Sequence, residues 1–257
     1  MTRNRHAFGL APPFIIAGAL AIGACSPASE EASSDVVDEE AVAAIPVTAE
    51  NAQHGEDIGT LPLPQRLAFM SGHVEAGLAL YRAGEPEMAA PHLLHPVSET
   101  HAAEREGLAD LGFQPELFET VSTALEQGRP AADIEDQLAA AEDNLRMVTA
   151  AAGGDASAII RFLMDTLVEE YEIAITDGAV SDPGEYQDAY GFAVVAHDRA
   201  EALPEGPRTR TRAALDQLIA LFPEGGPIPP DTPASVAEVT DRAARVQLAL
   251  PLTPPPQ

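Results

Sequence analysis

Between residues 63 and 221, proline opens and glycine closes one apolar segment after another. Pro86, Pro96, Pro115, Pro130 and Pro183 stand at the starts, and Gly84, Gly112, Gly128, Gly153-Gly154 and Gly178 at the ends. Proline lacks an N–H and fits the first turn of a helix, while glycine readily takes the left-handed conformation that ends one. Asp155 and Asp182 stand where N-caps belong. No segment alternates with period two over a useful length. The punctuation predicts helices at 64–83, 86–95, 96–111, 115–127, 130–152, 156–177, 183–203 and 207–221, and one more at 233–249 behind the linker PEGGPIPPDTP.

Apolar residues recur at helical spacing within these segments: Leu67, Met70, Val74, Leu78 and Tyr81 in one, Ile160, Met164, Leu167, Tyr171 and Ile175 in another. The chain has no tryptophan, so Leu, Ala, Val and Ile must fill the core. The fold class expected is all-α, an antiparallel bundle of about seven to eight helices behind a disordered acidic tether. The expected organisation is a leader at 1–24, a lipidated acidic tether at 25–62, a helical domain at 63–222, and a linker, helix and Pro-rich tail at 223–257.

Arg3 and Arg5 precede the apolar run FGLAPPFIIAGALAIGA, which ends at Cys25. A charged start, an apolar stretch and small residues at a cut site make a secretory leader. Ile22-Gly23-Ala24-Cys25 resembles a bacterial lipobox. That resemblance implies a lipid-modified (palmitate-bearing) Cys25 at the head of the mature chain, anchored on the periplasmic side of the cell envelope. Ser26, with no aspartate after the cysteine, points to the outer rather than the inner membrane.

Cys25 is the sole cysteine, so disulfides, thiolate metal sites and covalent c-type haem are excluded from the mature chain. The formal charge is −27, and all 14 basic residues are arginine. Such a surface repels phosphate backbones, so nucleic acid is not expected as a partner; cations and basic envelope proteins are. The sequence carries no GxSxG, HExxH, Walker loop or dinucleotide fingerprint, and no enzyme is expected. Arg208, Arg210 and Arg212 alternate with threonine and would spread around a helix, as solvated side chains.

HLLHPVSETH, residues 92–101, holds three of the seven histidines. On one continuous helix His92, His95 and Glu99 would share a face and His101 would point to the opposite side. Pro96 should break that helix near His95, leaving His92 and His95 at its mouth. His73 comes from the preceding antiparallel helix, where Ala76 and Gly77 leave space beside it. Imidazole with carboxylate suits iron, copper or zinc. The candidate ligands are therefore His73, His92, His95 and Glu99, with Glu104 and Glu170 as further carboxylates. The alternative reading makes these histidines half-exposed caps on helix-end carbonyls. His197 reads as a satisfied buried histidine, and His54 as a solvated one.

Residues 167–192, LVEEYEIAITDGAVSDPGEYQDAYGF, resemble the periplasmic extension of bacterial high-affinity iron permeases. Glu170-Tyr171, Ala174-Ile175, Gly178-Ala179-Val180, Glu185-Tyr186 and Phe192 carry the pattern; Gly191 stands where an acid is expected. Residues 72–104 resemble, more faintly, imelysin-like periplasmic iron-uptake proteins, through the HxxE spacing of His101 and Glu104. Residues 77–93 resemble a single tetratricopeptide hairpin, with no second copy. The first two resemblances imply a helical envelope protein associated with iron. The function expected is a lipoprotein that binds a transition metal, iron favoured, for uptake or storage. The alternative is a helical scaffold or adaptor lipoprotein without metal.

Overall fold

A computed structural model describes residues 58–223 and 226–251, the side chains of Glu99 and Thr100 excepted. The chain divides into two units, Met1–Ile45 and Pro46–Gln257, and every described residue belongs to the second. The leader at 1–24, Cys25, His54, most of the 25–62 tether and the tail after residue 251 lie outside the described residues.

The second unit is all-α, as the punctuation predicts. Its helices are α1 (Leu63–Ala83), α2 (Pro86–Leu94), α3 (Pro115–Glu126), α4 (Glu135–Ala152), α5 (Ala156–Ala174), α6 (Pro183–Arg199), α7 (Glu205–Ile219) and α8 (Val236–Ala249). Asp155 accepts from the Ser157 and Ala158 N–H groups, and Asp182 from those of Gly184 and Glu185, so both act as the expected N-caps. No helix among the described residues is long and apolar enough to cross a membrane.

Two predicted helices differ in kind, and the one expected at 130–152 begins only at Glu135, after a 3₁₀ turn at Ala131–Asp133. The segment 96–111 forms short 3₁₀ turns, His95–Val97, Glu99–Arg105 and Ala109–Leu111, not one α-helix. Pro96 removes a backbone donor at its start, and His101 leaves helical geometry at φ −102°, ψ 19°. The second difference follows α5. Ile175 pairs with Val180 and Thr176 with Ala179 in a two-stranded hairpin, β1 (Ile175–Thr176) and β2 (Ala179–Val180). Asp177 (φ 54°) and Gly178 (φ 78°) both sit at positive φ between the strands. Asp-Gly is the dipeptide that favours this tight hairpin turn, so Gly178 belongs to the turn and does not terminate a helix.

Two cores share α1. Leu67, Met70, Val74, Leu78 and Tyr81 face α2, α3 and α4, packing on Leu93, Phe118, Leu138 and Val148. Ala68 and Phe69 face the other way, into Ile160, Met164, Leu167, Tyr171, Phe192, Leu215 and Val246 of α5–α8. Both apolar stripes are thus buried, at about 1.5–3 kcal/mol for each large side chain. Helix α8 packs back on the body: Val239, Ala243 and Val246 are buried, and Arg161 of α5 donates to the Gln247 and Pro251 carbonyls. Arg208 and Arg212 of α7 pair with Glu201 at the surface, as solvated side chains should.

Helices α1 and α6 touch backbone to backbone. A Cβ added at Gly191 would sit 2.0 Å from the Gly72 carbonyl oxygen, and one at Gly72 would sit 2.2 Å from the Phe192 ring. Gly77, one turn on, leaves room for the Cβ of His92 and the side chain of Leu93 on α2. Gly191→Ala therefore places a methyl against backbone that cannot yield locally. We expect it to cost about 1–3 kcal/mol, read as a lower thermal midpoint by circular dichroism.

Glu75 of α1 is half-buried. Burial, then the carboxylates of Glu142 and Asp198, push it up to about 7 against the pull of Arg82 and Arg146. Between its ordinary value of 4.5 and about 7 the folded chain keeps a proton that the unfolded chain releases. Stability should therefore fall as pH rises through that window and level off above it. Glu75→Gln should match the parent at about pH 4 and exceed it at about pH 8 in urea midpoint.

Candidate metal centre

The glycine contacts between α1, α2 and α6 bring together side chains far apart in sequence. His73 follows Gly72 on α1. Asp188 lies one turn before Gly191 on α6. His92 sits opposite Gly77. The His73 Nδ1–H donates to Asp188 Oδ1 at 2.6 Å, and the His92 Nδ1–H donates to the same oxygen at 2.8 Å. The Nε2 atom of His92 lies 2.7 Å from Gln187 Oε1. His92 thus meets an acceptor at each nitrogen, the pattern of an imidazolium. Burial acts to lower its pKa, but Asp188 and Gln187 outweigh that and raise it. Burial likewise opposes ionisation of Asp188, yet His73 and His92 hold its carboxyl below the usual range.

A second group stands beside the first. The His95 Nε2–H donates to Glu104 Oε2 at 2.7 Å, and the His101 Nδ1–H to Glu104 Oε1 at 2.9 Å. Burial raises Glu104, but the bonds from His101 and His95 overcome it and hold the group at about 2. Burial, then the neighbouring His73, pushes His95 down to about 3. Arg66 of α1 braces the segment by donating to the Ala103 and Glu104 carbonyls at 3.0 and 3.2 Å. Arg105 donates back to the Ser98 carbonyl.

The four imidazoles form one stack. Ring centroids are 3.7 Å apart for His101 and His95, 4.1 Å for His95 and His73, and 6.3 Å for His73 and His92, all within 22° of parallel. Phe69 and Phe192 close on the edges of His73. The Nε2 atom of His73 is buried with no hydrogen-bond partner among the described residues.

Each group offers two imidazoles and one carboxylate. In His73, His92 and Asp188, and again in His95, His101 and Glu104, one ligand atom per residue lies within 4.8 Å of the others. With metal–ligand bonds near 2.1 Å, neighbouring donors on an octahedron stand about 3 Å apart. The observed N···O separations of 2.6–2.9 Å are close to that spacing, and an ion would take the place of the bridging protons. Two histidines and one carboxylate leave further positions open, a donor set that suits ferrous iron.

The sequence candidates divide between the groups. His73 and His92 meet at Asp188, and His95 joins His101 and Glu104. Glu99 lies in the 3₁₀ helix Glu99–Arg105, with its side chain outside the described residues. His101 does not point away as a continuous helix would require: the break in backbone geometry there turns it onto His95. Glu170 is not a ligand of either group. It is buried on α5 and bonds Glu185 of α6; burial and that bond push it up to about 10, so the pair keeps a proton. His197 pairs with Asp216 on α7 at 3.2 Å, away from both groups. Asp188 went unrecognised in sequence. Its signal is an acid on a helix that is buried on nearly every side, with Gln187, Ala189 and Gly191 around it; such a charge requires a partner.

Residues 154–251 match the iron permease-associated 4-helix bundle domain family. No curated protein and no solved structure matches the chain. The matched region spans α5–α8 and contains Glu170, Glu185 and Asp188, which supports the resemblance to iron permeases at 167–192. The four stacked histidines and Glu104 lie outside it.

Asp188→Asn leaves two buried imidazoles without their anion. Removing one partner of a buried pair costs about 3–5 kcal/mol, and we expect a loss of that order in urea unfolding of the metal-free protein.

Proposed function

We propose that this protein binds a transition-metal ion, iron favoured, and serves iron uptake or storage in the cell envelope. The ligands are His73, His92 and Asp188 in one group and His95, His101 and Glu104 in the other. The observation that carries the reading is the repeated set of two imidazoles and a carboxylate, with His73 Nε2 buried and unpartnered. The match of α5–α8 to a family named for iron permeases supports iron over copper or zinc. Gln187 holds His92 from behind, as outer partners orient metal-bound imidazoles. The role is binding and hand-over, without bond chemistry. Lipidation at Cys25 would tether the protein to the membrane, the outer membrane for preference, with a further envelope protein as recipient or donor of the ion.

One observation favours a second reading, a metal-free scaffold: both carboxylates already accept bonds from two histidines. Metal content separates the two. The full chain, without a histidine tag, is analysed for bound metal as isolated and then titrated with ferrous iron, copper and zinc. We expect iron to bind, less tightly as pH falls, because protons compete for imidazole and most strongly at His92, whose pKa, despite burial, is raised by Asp188 and Gln187. His92→Ala/His101→Ala should abolish that binding while helical circular dichroism persists. A parent that takes up no metal would establish the scaffold reading, and a double variant that binds as the parent does would remove these two groups as the site.

A further inference from the structure

The two groups differ in how they are built. His95, His101 and Glu104 come from one ten-residue segment of 3₁₀ turns that breaks at His101. Hydrogen bonds in 3₁₀ turns have poorer geometry than those of an α-helix, so the spacing of these ligands can adjust. His73, His92 and Asp188 come from three helices locked by the Gly72–Gly191 contact and by the fit of Gly77 against His92. Access differs too. His101 is the most exposed of the four stacked imidazoles, at 20% of its side chain against 7% for His95, 11% for His73 and 4% for His92. The groups meet at the 4.1 Å contact of His95 on His73, and the Nε2 atom of His73 is buried without a partner among the described residues.

We propose that the groups are two stations of one path: an ion captured at His95, His101 and Glu104 passes across the His95–His73 stack to His73, His92 and Asp188. The proposal rests on the metal-binding reading above and adds an order to it. The adaptable group, which carries the most exposed imidazole, captures, and the rigid group holds. The transfer exchanges one set of two imidazoles and a carboxylate for another, with no redox change. Any proton displaced from an imidazole leaves to solvent. Each station carries one buried carboxylate, so the ion keeps a counter-charge at both ends.

Rapid mixing of the full chain with cobalt(II), followed by its visible absorption, tests the order. The parent should show a capture phase whose rate rises with cobalt concentration, then a slower phase independent of it. His101→Ala should lose the capture phase and load the inner station slower by about tenfold or more, reaching the same final spectrum. Asp188→Asn should keep the capture phase and lose the second. If that variant loses its helical circular dichroism, His92→Gln is used in its place with the same expectation. Inner loading at the parental rate in His101→Ala overturns the path. So does a parent in which both groups fill in parallel, with each phase proportional to cobalt concentration. In both of those cases metal binding itself stands, whereas a parent that binds no cobalt overturns the two readings together.

Discussion

The contact of Gly72 with Gly191 fixes the geometry of everything around it. Side chains usually keep helix axes about 8–10 Å apart. Here a Cβ on α6 would stand 2.0 Å from a carbonyl oxygen of α1, so the two backbones have no side chain between them at the crossing. The residues flanking that crossing consequently face each other at hydrogen-bond distance. His73 is next to Gly72, and Asp188 precedes Gly191 by one turn. Gly77 repeats the device toward α2 and admits His92. Gly191 is also the position at which the resemblance to iron permeases leads one to expect an acid. The departure has a local cause, since no side chain fits there.

The ionic network at this crossing is a poor way to gain stability. Asp188 and Glu104 are 8% and 1% exposed, and each removes a charge from water at an effective cost of several kcal/mol. Two histidines per carboxylate recover that cost without leaving much surplus, and apolar side chains of similar volume would pack at least as well. The rest of the interior follows the apolar rule closely, with leucine, alanine, valine and phenylalanine filling both cores. A concentration of four imidazoles and two carboxylates at the one place where three helices meet departs from it. Stability alone does not account for that departure.

Much of the fold was legible because its signals are local. Proline at first turns, glycine at ends and aspartate caps need only neighbouring residues to act, and eight α-helices fall close to where those signals put them. The failures were local as well. Asp177-Gly178 is a hairpin turn as much as a helix stop, and the stripe ending at Ile175 continued to look helical although its last residue had entered a strand. The 96–111 segment had helical composition, but Pro96 and the break at His101 left it in 3₁₀ turns. The site was legible only in its histidines. Their sequence spacing fits no three-ligand template, because one carboxylate stands 96 residues further along than His92 and is delivered by a helix crossing. His101 faces His95 because a rotation of 100° per residue holds only in an α-helix, and this segment is not one.

The division of the centre between two parts of the chain bears on how a function of this kind is assembled. Asp188 lies in the α5–α8 region that matches a family of iron permease-associated bundles, and so do Glu170 and Glu185. The imidazoles arrive on α1, α2 and the 3₁₀ segment, which lie outside that match. Without α1 and α2, Asp188 would lose both imidazoles that hold its charge, since no arginine bonds this carboxylate among the described contacts. The α5–α8 region thus supplies the acid of this group, and α1 and α2 supply its imidazoles. A chain with a charge of −27 also raises the local concentration of cations at its surface. Under the metal-binding proposal, selectivity has then to come from the donors, since an imidazole that has given up its proton distinguishes a transition metal from the harder cations that the same acidity attracts.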